Sequence, residues 1–109
     1  MSAPAEVASL RVPTQALPEP GLLRVEVGEL ALCLARTASG NWYAVDDSCT
    51  HEDRSLSGGE LAGEVVECPC HGSCFDLAGG DVLNLPAVVP LRTYPARLER
   101  DAVIIEVAG

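Results

Sequence analysis

The 109 residues predict an all-β fold, a small antiparallel β sandwich or barrel with a loop-rich module inserted into it. Three observations carry that prediction. Short aliphatic and β-branched runs recur toward both ends of the chain, and Gly and Pro punctuate them at regular spacing. Between Asp46 and Pro90 the strand pattern thins, while glycines, four of the five cysteines and both histidines accumulate there. Apolar types make up 48% of the chain but aromatics only 4%, so the core is expected to be built from Val, Leu, Ile and Ala.

The elements follow in order. Four prolines (Pro4, Pro13, Pro18, Pro20) make the stretch to about Gly21 extended and irregular around one short strand near Val7–Val12. Leu22–Val27 alternates, Gly28-Glu29 supplies a two-residue turn with Gly first, and Leu30–Ala35 returns as the partner strand. A second turn at Ser39-Gly40-Asn41 leads into Trp42–Val45. At the far end Thr93–Leu98 and Ala102–Val107 flank Glu99-Arg100-Asp101 as another hairpin. Gly58-Gly59 and Gly79-Gly80 are expected at turns that need positive φ. Trp42 belongs to the core or its edge. Cys33, in an alternating strand on the face of Ala31 and Ala35, is expected to be a small core residue.

Charge excludes one class of partner. Sixteen acids face seven basic residues, all Arg, giving a formal net charge of −9, and a nucleic-acid backbone needs cationic surface. No apolar run approaches the roughly 18 residues a membrane helix requires. Met1–Glu6 lacks the basic and apolar regions of a secretion signal, so the expected location is cytoplasmic, with no membrane partner. An odd number of cysteines and no such signal favour metal ligation or redox work over a disulfide scaffold.

The chemistry lies in Cys49-Thr50-His51 and Cys68-Pro69-Cys70-His71, a C-x-H and a C-x-x-H separated by sixteen residues. Two thiolates and two imidazoles on paired loops can hold either a tetrahedral ion or a two-iron cluster. Each loop offers Cys first and His shortly after, so antiparallel loops can segregate the two ligand types, which suits a centre with two unlike irons. Zinc modules more often repeat C-x₂₋₄-C and H-x₃₋₅-H, and a structural zinc module is the rival from another class.

Extended through Gly72-Ser73, these residues resemble the Rieske [2Fe–2S] signature. Phe75-Asp76, Leu85-Pro86-Ala87 and Tyr94-Pro95 also fit small Rieske ferredoxins. The resemblance implies a Rieske-like β sandwich or barrel, with a single domain over 1–109, a β core at about 1–45 and 91–109, and a cluster-binding module at about 46–90. It implies one [2Fe–2S] cluster per chain, with Cys49 and Cys68 on the inner iron and His51 and His71 on the outer. Ser73 is then a hydroxyl donor to cluster sulfur and Pro86 part of a third, covering loop.

Two departures from the high-potential branch of that family bear on function. The position three residues after His51 is Arg54 where that branch has a cysteine, which leaves Cys70 without its partner. Phe75 stands where that branch has a hydrogen-bonding Tyr. Both point to the soluble, low-potential ferredoxins. Such proteins take one electron from a flavoprotein reductase and pass it to a terminal oxygenase, with no substrate chemistry of their own. The alternatives are the small Rieske subunit of an assimilatory nitrite reductase and an accessory Rieske protein of iron–sulfur cluster assembly. Cys70 and Cys74 are open between a redox-sensitive pair and ordinary packing or an unused thiol.

Nine acids lie between Asp46 and Asp81 with Arg54 the single base among them, a local excess of eight negative charges. The segregation suggests an acidic docking face for the reductase and oxygenase around His51 and His71.

Overall fold

The computed structural model describes residues 7–48, 55–69, 72–84 and 89–108. Among the described residues ten strands form three antiparallel sheets. The first is β1 (Val7–Pro13), β10 (Ala102–Ala108) and β9 (Ala96–Glu99), with β10 in the centre. The second runs β2 (Gly21–Val27), β3 (Leu30–Arg36), β4 (Trp42–Asp46) and β8 (Thr93–Tyr94). The third is β5 (Glu60–Ala62), β6 (Val65–Glu67) and β7 (Cys74–Asp76). Single 3₁₀ turns occupy Thr14–Ala16 and Leu56–Gly58.

The β2–β3 hairpin forms as its sequence dictates. Val27 pairs with Leu30 across Gly28-Glu29, and Gly28 takes the positive φ of 62° that such a turn requires at its first position. The C-terminal hairpin differs from its expected form in two respects. The strand expected over 93–98 is broken at Pro95, which has no N–H for a ladder; β8 pairs with β4 in the second sheet, while β9 pairs with β10 in the first. The turn is the two-residue Arg100-Asp101, with Glu99 paired to Ala102 and Arg100 at a φ of 57°.

The second sheet is packed on both faces. Leu32, Leu34 and Ala44 join Val12, Val103, Ile105 and Val107 in a core shared with the first sheet. Cys33, Ala35 and Val45 point the other way, into a core with Leu56, Val66, Cys68, Phe75, Leu77 and Leu91. The unbroken apolar run through β3 is what two-sided burial demands. Ala31 is only half-buried, so Cys33 shares its core with Ala35 rather than with both alanines. Trp42 sits half-buried at the edge of the other core, with the Arg36 guanidinium 5.3 Å from its ring centre.

Burial pushes the Cys33 thiol up to about 12, with a smaller contribution from Asp47. Burial first, and then the hydrogen bond to Asp46, raises the Tyr94 phenol to about 12. Both groups stay protonated in the folded chain over a range where the unfolded chain ionises. Their stabilisation is therefore complete below pH 9 and lost as pH rises toward 12. Folded protein at pH 8 should accordingly leave Cys33 unalkylated by iodoacetamide, and denaturant titrations should show stability falling from about pH 9 upward.

The sparse middle of the sequence holds more sheet than its pattern suggests, since all of β5–β7 lies there. Each of these strands has three residues, too few for a period to show. The glycines of this region also differ from expectation. Gly80 has positive φ, at 78°, but Gly58, Gly59 and Gly79 do not. Gly59 is required for a different reason: a Cβ there would stand 2.0 Å from the carbonyl oxygen of Glu67, the last residue of β6.

Candidate metal centre

Cys68 follows directly on β6, and its N–H donates to the Ser73 carbonyl at 2.8 Å, which closes the root of the second motif loop. Gly72 makes the turn with a φ of 74°. Cys68 is 2% exposed and Ser73 is wholly buried. The Cys68 side chain packs in the same core as Phe75 and Leu56.

The root of the first motif loop is closed by a bridge between Ser48 and Ser55 and by the Leu56 N–H on the Asp47 carbonyl at 2.7 Å. The Asp47 side chain, 1% exposed, lies beneath that closure. It accepts from the Ser57 N–H at 2.7 Å, the Ser55 hydroxyl at 2.5 Å, the Ser57 hydroxyl at 3.3 Å and Arg24 Nη1 at 3.2 Å. A buried carboxylate with this many donors is a structural anchor. It cannot contribute to an exposed acidic face, which corrects its place among the nine segregated acids.

A third loop is rooted beside the second. Val82 bridges Phe75, the Leu83 N–H donates to the Cys74 carbonyl at 2.9 Å, and the Leu91 N–H donates to the Gly80 carbonyl at 2.8 Å. Gly80 permits that approach, because a Cβ on it would lie 2.2 Å from the Leu91 oxygen. Leu56 after the first loop, Cys68 before the second and Leu91 after the third all belong to one core. The three loops therefore rise from a common base.

Cys49, His51, Arg54, Cys70, His71 and Pro86 lie outside the described residues, as do Glu52 and Asp53. Of the sequence-predicted site residues, the structure places Cys68 and Ser73 together at the root of the second loop. Cys74 is half-buried, its Sγ 3.5 Å from the Gly72 carbonyl and 3.9 Å from Glu67 Oε1. Burial, and then Glu67, raises its pKa and keeps the thiol protonated, a weak nucleophile. Phe75 is wholly buried. Several of the remaining acids also serve the fold: Asp46 accepts from the Tyr94 hydroxyl, Glu64 from Ser39 and Asp76 from the Gly79 N–H. Glu60, Glu67 and Asp81 are exposed.

Sequence reasoning missed two residues that organise this base. Asp47 looks in the sequence like one more acid of the segregated set, and its partners Arg24, Ser55 and Ser57 are too scattered to be read as a motif. Asn84 drew no attention, although its amide bonds to both Gly72 and Cys74.

A buried thiol at a strand end, on a loop closed by backbone bonds and preceding a histidine, suits the donor set of a mixed-ligand iron–sulfur centre. The chain belongs to the Rieske [2Fe–2S] domain family, whose model matches residues 9–95, a span containing both Cys/His pairs. Members of that family carry a [2Fe–2S] cluster. Among its relatives is the ferredoxin component of biphenyl 2,3-dioxygenase from Rhodococcus jostii (strain RHA1), 41% identical over 88 residues and covered over 81% of each chain. The ferredoxin subunit of 3-phenylpropionate/cinnamic acid dioxygenase from Escherichia coli (strain K12) is 36% identical over 95 residues, 86% of this chain and 88% of that one. Among solved structures, one of a complex of reduced oxygenase and oxidized ferredoxin in carbazole 1,9a-dioxygenase aligns with a TM-score of 0.79 at 33% identity. That alignment covers 86% of this chain and 96% of the other. No helix among the described residues is long and apolar enough to cross a membrane.

Proposed function

We propose that the chain is the one-electron carrier of a multicomponent oxygenase, taking electrons from a flavoprotein reductase and delivering them to a terminal oxygenase in the cytoplasm. Cys49 and Cys68 ligate one iron and His51 and His71 the other. Ser73 supplies a hydroxyl near the cluster, with Cys70 and Pro86 beside it. The chain acts as one Rieske domain, its cluster-binding module at about 46–90 seated on the β core at about 1–45 and 91–109. The observation that carries this reading is the 41% match to a dioxygenase ferredoxin component over 81% of both chains.

When bound, the cluster supplies a one-electron couple whose potential is raised by replacing two thiolates with imidazoles. The chain's own residues do the rest. Cys68 brings its sulfur to a buried strand end, and the core around Phe75 and Leu56 keeps water from it. Phe75 has no hydroxyl to stabilise the charge gained on reduction, which lowers the potential relative to a Tyr at that position. A midpoint near the bottom of the roughly −150 to +300 mV spanned by Rieske centres is expected.

Visible spectroscopy and EPR of the dithionite-reduced protein test the reading. A brown protein with a Rieske-type signal supports it, and a colourless protein holding zinc overturns it. A midpoint well above zero would reject the low-potential assignment.

The docking surface is expected to draw on Glu52, Asp53 and the exposed Glu60 and Glu67. Encounter with a basic partner should then slow as salt shortens screening to about 8 Å at physiological ionic strength. Changing Glu52 and Asp53 to Lys should lower the second-order rate of electron delivery about tenfold at low salt, with the visible spectrum unchanged. A rate indifferent to salt would remove the acidic face from the account.

A further inference from the structure

Asn84 stands on the segment that leads into the third loop. The main chain of that segment pairs with β7 as far as the Leu83 N–H on the Cys74 carbonyl. The next rung is made by a side chain. Asn84 Oδ1 accepts from the Cys74 N–H at 2.6 Å, and Nδ2 donates to the Gly72 carbonyl at 3.2 Å. A primary amide offers an acceptor and donors much as a peptide group does, so it can serve as the rung after the Leu83–Cys74 bond. The partners also fix its orientation, since the N–H must meet oxygen and the carbonyl must meet nitrogen.

The two bonds straddle Ser73, wholly buried, whose own carbonyl holds the N–H of Cys68. Gly72, one of the two residues gripped, follows His71 in the sequence and has a φ of 74°. The amide thus fastens the end of the loop that runs from Cys68 to His71. We propose that Asn84 is a positioning residue for the cluster, fixing the backbone conformation from which His71 and Cys68 act. The inference rests on the assignment of those two residues as ligands.

The test uses the holoprotein. Asn84→Leu keeps the number and branching of heavy atoms without polar ones, and Asn84→Ala removes the branch altogether. Asn84 is exposed, so neither change opens the core, and far-UV circular dichroism checks that the sheets persist. Each variant should release iron to a chelator about tenfold faster than wild type, the scale of one ordinary net hydrogen bond. Each should also broaden the EPR signal of the reduced protein, as a less uniform ligand loop requires. A space-filling role would be spared in Asn84→Leu. If that variant matches wild type in release rate and line shape, the clamp is overturned while the ligand assignment stands. If the wild-type protein lacks a Rieske-type signal, the ligand assignment fails and the clamp fails with it.

Discussion

Changing Cys68 to Ser should give a protein without iron above background and with its three loops exposed to protease. Cys68 is 2% exposed and shares a core with Phe75, Leu56 and Leu91, so its sulfur is presented from a fixed base with few alternative positions. A Ser hydroxyl is a poor iron ligand at neutral pH, and a polar hydroxyl in place of a thiol in that core adds a desolvation cost. Metal binding couples to folding, so losing the ligand is expected to cost folding free energy as well as the metal. Cys49→Ser should behave the same way. Cys74→Ser is the informative control: its thiol lies half-buried against Glu67, and iron content should stay near that of wild type, as it should for Cys33→Ala and Cys70→Ser. Iron measured per chain, with limited proteolysis alongside, checks the set. Iron loss from the Cys74 or Cys70 variant equal to that from Cys68→Ser would overturn the ligand assignment.

Asp47→Ala should cost the fold a large share of its stability although the residue does not bind the cluster. The change strands the Ser57 N–H and leaves the Ser55 hydroxyl with only the Ser57 hydroxyl, at 2.7 Å, in place of a carboxylate 1% exposed. The N–H left unpaired costs about 1–3 kcal/mol and the lost bond from Ser55 to the carboxylate about 1 more, which puts the expected loss at about 2–4 kcal/mol. Arg24 adds little to this, because its side chain is half-exposed and rehydrates once its partner is gone. For a chain of this size the loss corresponds to a fall in Tm of about 10–25 °C. Asp47→Asn, which keeps one acceptor, should fall between. Denaturant unfolding followed by far-UV circular dichroism measures the change, and iron loss should follow it, because the anchored segment leads into Cys49. A loss below about 1 kcal/mol would mean that water replaces the carboxylate at its donors.

The hairpins and central strands were legible because their physics is local. Alternation in β2, the Gly28-Glu29 turn and the apolar run of β3 all act within a few residues of one another. The spacing of the Cys/His pairs was legible for the same reason. The rest depends on partners distant in sequence. Asp47 reads as one more surface acid until Arg24 and Ser57 close around it, and Asn84 reads as loop until its amide meets Gly72 and Cys74. Gly59 carries no local sign that the Glu67 carbonyl will pass so close. Pro95 was visible, yet its effect, sending β8 and β9 into different sheets, is a matter of tertiary topology.

Because β3 and β4 form a common wall between two cores, the two halves of the molecule share fate unequally. The half built on β5–β7 is expected to open without disturbing the wall's other face, whereas disruption of the wall dissolves both. Native-state hydrogen exchange should therefore separate two populations. Amides of β5–β7 should exchange through a partial opening at low cost, while those of Leu32–Ala35 and Val45 should wait for global unfolding. Such a result would mean that the wall, packed from behind by the first sheet, keeps the template on which the β5–β7 half refolds.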